Sequence, residues 1–474
     1  MGITKRFALL TRNILSVVSG RLSARILESF VFGVVAILAF IDINNYSNIL
    51  PLNYTAKTII SCICLLLICL YVAKPPSFQN YYRIVPKGLW AAFVVVLAVS
   101  SVVGTKYSLI MLLLVCAFYV YYILDFSRDR TKELYLLLSR SLVICGAVVV
   151  ITNLYLYPIG KQYSGIFVNS NALAVFLNSV FIGFLVTADS VSARLKQSRQ
   201  TLALFLSLCL IGGLFVTIQV YTNSRAGLIV MGVSVIAYLL VALNEKSFLN
   251  AIKVLALTAI FFVMMFIWLP PILEGTFEPT LKTDLSDQVT ETQKASETDD
   301  KTIQASSKVY EDAINLHKER IASGLDSVDS FFTNRLRIYS TYYDHLNLFG
   351  HSPDQQMALK AEHKLPGTTS HNAYLEIAYD AGIPAGIVFL VIIVYSFVLF
   401  LIKIARKKPD SKPVLFEILM FSSYCLYSLV ESNYHPITLS VFFLFLVLKY
   451  PFGKDWNDII NRKEDMKLPL VERQ

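Results

Sequence analysis

Three short polar stretches in an otherwise apolar chain hold the residues best suited to chemistry. The first is Tyr221-Thr-Asn-Ser-Arg-Ala-Gly227, where Arg225 stands beside Ser224, Ala226 and Gly227, residues small enough to let something bulky approach a guanidinium. The second runs Asn334-Arg-Leu-Arg-Ile-Tyr-Ser-Thr-Tyr-Tyr-Asp-His345 and on to Gly350. Helical spacing puts Arg335, Ile338 and Tyr342 on one face and Arg337 on another. The third is Thr368-Thr-Ser-His-Asn-Ala-Tyr-Leu-Glu376, continuing to Gly382 and Gly386. Ser370 has the form of an N-cap, which predicts His371 and Asn372 in the first turn of a helix with Tyr374 and Leu375 behind them. Planar guanidinium groups suit two-pronged contacts with phosphate, and a neutral imidazole accepts a proton near neutral pH. Each residue also has a plainer use. An arginine at a membrane edge snorkels to headgroups, a solvated amphipathic helix has the same pattern as 334–345, and a histidine at an interface caps or bridges.

The elements that must position these residues follow from composition. The chain has 474 residues, 55% hydrophobic and 16% charged, with a mean hydropathy of +0.58. Soluble domains carry about 25% charged residues, so a soluble enzyme, a secreted disulfide scaffold and a disordered chain are excluded. Twelve apolar runs are bounded by charge or turn residues: 22–41, 54–73, 88–103, 107–124, 134–157, 171–188, 201–220, 226–243, 251–273, 383–402, 413–429 and 436–450. The expected fold is all-α, a polytopic bundle of about twelve membrane helices, nine within 1–273 and three within 371–450. The third and last runs are short for a hydrocarbon core of about 30 Å.

With the N-terminus in the cytoplasm, 27 of the 42 lysines and arginines fall in inward-facing segments. Only Lys106, Lys161 and Arg225 fall in the five short outer loops, as the positive-inside rule requires. Both termini are then cytoplasmic, with a tail over 451–474. The net charge of +9 reflects cytoplasmic loops rather than nucleic-acid binding. One connection is long: 274–370 lies outside, with 16 acidic and 10 basic residues and four of the six histidines. Its part 276–307 is polar enough to be mobile, 309–325 has the spacing of a surface helix, and from Phe331 it is apolar enough to pack on the membrane helices. The seven cysteines all sit in apolar runs and are read as buried thiols.

Arginines and one histidine facing outward from a membrane protein fit group transfer from a lipid diphosphate. The leaving diphosphate needs its charge stabilised, and the incoming hydroxyl must lose its proton. So good a leaving group needs no acid, consistent with the lack of an obvious carboxylate pair. The outer histidines lack zinc-site spacing, since no HExxH or HxxxH occurs, and no P-loop or GxSxG lies in a credible context. No metal and no cofactor are expected.

The motifs resemble the O-antigen ligase and polysaccharide polymerase superfamily, which includes O-antigen ligases, Wzy-type polymerases and bacterial O-oligosaccharyltransferases. Gly165-Ile-Phe-Val-Asn-Ser-Asn171 is similar to the family's glycine–aromatic–Asn-x-Asn entry to a helix, with Ser170 where proline is common. Asn223-Ser-Arg-Ala-Gly-Leu228 resembles its Ser-Arg-small-Gly signature. Asn334-Arg-Leu-Arg-Ile-Tyr339 resembles its Arg-x-x-x-aromatic stretch, and Ser370-His-Asn-Ala-Tyr374 through Gly386 its His-Asn…Gly segment. The resemblance covers 165–386 and implies a metal-independent glycosyltransferase of the bacterial plasma membrane, acting on an undecaprenyl-diphosphate-linked glycan and a glycan acceptor among membrane lipids. By motif position His371 is the base, Arg225 and Arg335 hold the diphosphate, and Arg337 rivals Arg335. Lys161, Asn169, Asn171, Asn372 and Tyr374 complete the expected substrate contacts, and a chain-length regulator or flippase is an expected partner. The frequency of such proteins favours a polymerase of capsule, exopolysaccharide or O-antigen; a ligase or oligosaccharyltransferase is the alternative. From another class, a transporter of lipid-linked sugars would want charges in mid-membrane, and few exist.

Overall fold

The computed structural model describes residues 3–47, 49–73, 85–103, 106–123, 128–157, 159, 163–167, 169–195, 197–245, 247–276, 335–365, 369–405 and 414–449. Their regular structure is helical. Lys161, the 276–307 stretch beyond Thr276, the expected helix over 309–325 and the tail 451–474 lie outside the described residues.

Helices occupy the twelve apolar runs. They are α2 (Ala24–Ser47), α3 (Tyr54–Val72), α4 (Val85–Val103), α5 (Lys106–Ile123), α6 (Arg128–Leu156), α7 (Ser170–Ser192), α8 (Arg199–Tyr221), α9 (Arg225–Asn244), α10 (Phe248–Thr276), α14 (Ile383–Ala405), α15 (Leu415–Tyr427) and α16 (Leu439–Val447). Eight of these, α2, α3, α6 to α10 and α14, are long and apolar enough to cross a membrane by length and composition. The chain is a multi-pass membrane protein. The other four are shorter or less apolar, and α16, with nine residues, is only about 14 Å long.

Four further helices complete the set: α1 (Ile3–Arg21), α11 (Arg335–Asp344), α12 (Pro353–His363) and α13 (Ala373–Ala381). No expectation covered α1. Its Leu10, Ile14, Val17 and Val18 are exposed while Leu15 and Ser19 are buried, a pattern of helices that lie along a membrane surface.

Two compact units divide the chain, the first from 1–42, 48–141 and 335–474, the second from 43–47 and 142–334. In the first unit α16 is encased by protein, with Leu439 and every residue from Val441 to Leu448 fully buried. Phe118 and Trp90 pack edge-on against Phe442 and Phe445. A helix end without a partner is costly in an apolar setting, and here groups from other elements meet both ends. The Asp42 carboxylate accepts the Leu439 N–H at 3.1 Å, and the Tyr122 and Tyr135 hydroxyls donate to the carbonyls of Phe445 and Leu446. That is why so short an apolar run is stable as a helix.

Also in the first unit, α11, α12 and α13 share a small core of Ile338, Tyr342, Leu359, Leu365 and Tyr379. The stretch from Arg335 to Leu365 is therefore folded around a core of its own with α13. Gly350 and Gly382 lock it in place. Both have left-handed backbones (φ +90° and +92°), and a Cβ on Gly382 would come within 2.2 Å of the Leu348 carbonyl oxygen. Nothing but glycine permits that approach.

In the second unit α7 is the central helix, nearly all of it buried. Gly146 lies against Val180 of α7, and Gly213 of α8 lies against the α10 backbone at Phe261 and Phe262. Asn178 ties α7 to α9 by donating to the Gly227 carbonyl at 3.0 Å.

Candidate functional site

The first unit gathers residues from three distant stretches around one carboxylate. Arg335 opens α11, and its guanidinium donates to Glu431 Oε1 at 3.1 Å and to the Val430 carbonyl. Glu431 Oε2 faces the imidazole Nδ1 of His371 at 3.8 Å, an electrostatic contact longer than a hydrogen bond. The three side chains are 14%, 16% and 29% exposed, so they interact with little screening yet remain reachable. His371 Nδ1 is itself buried and makes no hydrogen bond, so the accessible part of the ring lies away from that nitrogen. Glu431 went unnoticed in the sequence. It follows an apolar helix in a Leu-Val-Glu-Ser-Asn turn with no motif of its own, and the one available signal was a carboxylate at an outer boundary with few charges.

Local structure at His371 differs from the expectation. Asn372, not Ser370, caps α13: its Oδ1 accepts the Tyr374 and Leu375 amides at 3.0 Å each. Ser370 instead closes a tight turn, its Oγ accepting the Asn372 N–H and donating to the Asn372 carbonyl. His371 therefore precedes the helix rather than sitting in its first turn, and it has a left-handed backbone with φ +53°. A non-glycine residue pays about 1 kcal/mol or more for that conformation, and it persists only when neighbours enforce it. Tyr339, one turn on from Arg335, supplies one such constraint. Its hydroxyl lies 2.9 Å from the Leu429 carbonyl and 3.2 Å from that of His371. Burial raises the Tyr339 hydroxyl above its usual pKa, against the lowering effect of Arg335, which keeps it a donor.

Beneath the turn lies a buried polar floor. Glu376 Oε2 accepts the Ser370 N–H at 2.5 Å and Oε1 accepts Gln356 Nε2 at 2.8 Å. Asp380, one turn further along α13, accepts the Tyr434 hydroxyl on Oδ2, and its Oδ1 is buried without a hydrogen bond. Burial raises both carboxyls, and the neighbouring Glu376 charge raises Asp380 further. Two donors on Glu376 favour its ionised form, whereas Asp380 accepts one side-chain hydrogen bond, from Tyr434.

The remaining expected residues divide clearly. Arg337 points elsewhere from Arg335 and donates to the His363 carbonyl at 3.1 Å, so of the two arginines α11 presents Arg335 to Glu431 and His371. Both ends of the Asn372 amide are engaged, since its Nδ2 also reaches the Leu429 carbonyl at 3.3 Å. The Tyr374 hydroxyl accepts from Ser428 Oγ at 2.8 Å. Both side chains therefore have partners within the fold.

In the second unit Arg225 is the first residue of α9 and is half-buried. Ser224 caps that helix by accepting the Gly227 N–H at 3.2 Å, and Asn223 before it is buried with φ +54°. The smallness of Ser224 thus serves the cap. Asn169 caps α7 by accepting the Asn171 amide at 2.9 Å. Gly165, with φ +54°, packs against Asn153, whose Oδ1 accepts the Ile166 N–H. This motif has a structural account in turning the chain into α7. Among the described residues no three His, Cys, Asp or Glu side chains are grouped to hold a metal.

Residues 210–390 match the family described as O-Antigen ligase. That segment, from within α8 to within α14, carries Arg225, Arg335 and His371, while Glu431 lies beyond it. No curated protein and no solved structure matches the chain.

Proposed function

We propose that this membrane protein is a glycosyltransferase that moves a glycan from an undecaprenyl-diphosphate carrier to an acceptor hydroxyl on the outer face of the plasma membrane. One observation carries the reading: Arg335 and His371, 36 positions apart in the sequence, face opposite oxygens of the Glu431 carboxylate. A cation for a leaving diphosphate and a base for an incoming hydroxyl are thereby held side by side.

In the reaction the acceptor oxygen attacks the anomeric carbon and the bond from that carbon to the diphosphate oxygen breaks. The hydroxyl proton passes to His371 through the ring nitrogen away from Glu431. Glu431 then faces the imidazolium and stabilises the charge it has gained, as a carboxylate does behind a general base. The N–H groups of Arg335 not engaged by Val430 and Glu431 meet the departing diphosphate. No general acid is required.

The match to the O-Antigen ligase family supports transfer to a lipid-anchored or other non-repeat acceptor ahead of repeat-unit polymerisation, since no described residue favours a polymerase. The test is the glycan of cells lacking the chain. Complete polymer left on its lipid carrier marks a ligase, and single repeat units left on lipid mark a polymerase. Unchanged glycan in both pools would discard the enzyme reading.

A further inference from the structure

His371 occupies a backbone conformation that its own side chain does not favour, so something other than local preference must hold it there. The turn is anchored on both flanks. On the C-terminal side the Tyr339 hydroxyl reaches the His371 carbonyl, and the Ala373 N–H donates to the Ser428 carbonyl at 2.8 Å. On the N-terminal side the Glu376 carboxylate accepts the Ser370 N–H. Ser370 is 0% exposed and Glu376 3%. Water therefore cannot substitute for that bond. Gln356, on α12, occupies the other oxygen of Glu376, which fixes the carboxylate's rotation and ties the turn to a separate helix.

We propose that Glu376 is the positioning residue of the site: it holds the Ser370-His371 turn in its left-handed form and so sets where the imidazole stands relative to Glu431 and Arg335. This rests on His371 being the base proposed above. Glu376 touches neither substrate nor reacting atoms. It acts through Ser370, bonding both its peptide N–H and its side chain, and what the turn needs from it is an acceptor at fixed distance rather than a charge.

That distinction gives the experiment. The full chain is placed in nanodiscs and supplied with lipid-linked glycan extracted from cells lacking the protein, and transfer is followed against donor concentration. Glu376→Ala should lower kcat about 30-fold or more, the scale of a misplacement near 1 Å. KM for the donor should stay within about twofold, because Arg335 keeps its partners. Glu376→Gln should recover kcat to within about threefold of the native protein. Its Oε1 accepts the Ser370 N–H while its Nε2 donates to Gln356, whose amide turns over to accept. Amide hydrogen exchange over 369–374, read on the same nanodiscs without any substrate, should quicken about tenfold or more in Glu376→Ala and little in Glu376→Gln.

Native kcat in Glu376→Ala would overturn the proposal. So would a loss of kcat with unchanged exchange, or a Glu376→Gln variant as slow as Glu376→Ala with a normal turn, since the charge would then be acting. If Glu376→Ala fails to accumulate, Gln356→Ala removes only the brace on the carboxylate and should still lower kcat severalfold at constant KM; native kcat there counts against the proposal. A native protein that transfers nothing, with exchange quickened in Glu376→Ala, would refute the glycosyltransferase reading and leave the anchoring role standing.

Discussion

Two carboxylates serve the His371 turn in different ways. Glu431, partly exposed, is shared between a guanidinium and an imidazole. Glu376, on the buried floor, receives a peptide N–H and a side-chain amide. The first is placed to exchange charge with whatever enters the site, and the second chiefly braces the turn, its charge interaction with His371 being the smallest of its influences. The same functional group is thus electrostatic on one face and architectural on the other, and the difference lies in what its oxygens meet. Substitutions on the Glu431 face should therefore cost turnover at constant stability, and those on the floor that remove an acceptor or crowd the backbone should cost stability or placement.

The largest effect is expected at His371. His371→Asn tolerates the left-handed backbone while removing the proton acceptor, and transfer should fall by about 10²–10⁴-fold with an unchanged melting midpoint. Full activity in that variant would remove the base from the Glu431 face. Arg335→Ala should cost about 10²–10³-fold in turnover and should raise the dissociation constant for undecaprenyl diphosphate, measured by titration in nanodiscs. On the floor side, Gly382→Ala forces a Cβ onto the Leu348 carbonyl at a positive φ. It should destabilise the fold by about 2 kcal/mol or more, seen as a lowered melting midpoint in scanning fluorimetry.

Glu431→Gln keeps a hydrogen-bond acceptor for Arg335 but removes the charge facing His371. Turnover should drop about tenfold without loss of stability, and a drop in melting midpoint instead would blur the contrast between the two faces. The smallest effect is on pH dependence. Asp380 has its pKa raised in the fold, chiefly by burial, so the folded state holds a proton that the unfolded chain releases. Its contribution to stability is therefore full below about pH 4 and is lost as pH rises toward the folded pKa. Asp380→Asn abolishes that loss. Its melting midpoint should exceed the native value by about 2–4 °C at pH 8 and converge with it at acid pH.

Much of this was legible in the residues. Every apolar run became a helix, because a run of that composition must satisfy its backbone internally in lipid. Arg335, Ile338 and Tyr342 were separated from Arg337 by helical geometry alone, and the structure keeps that separation. What misled was cap chemistry. Ser370 and Asn372 are both good N-caps, and local preference does not choose between them. The choice fell to Asn372 because Glu376 and Tyr339 pin the preceding turn. Tyr374 and Asn372, adjacent to the key histidine, also bond Ser428 and Leu429 of another segment, contacts that spacing along the chain does not reveal.

The sequence by itself determined the quantities that depend on neighbours along the chain: the helices, the membrane character, and the arginine and histidine whose types suit phosphate and proton chemistry. Tertiary structure decided what depends on neighbours in space. It brought Glu431 to Arg335 and His371 across 96 and 60 positions of chain, buried α16 on all sides so that nine residues suffice, and imposed on His371 a backbone it would not adopt alone. Hydrogen bonds and charges act over a few ångströms, and spacing along a chain carries no record of which distant residue will come that close.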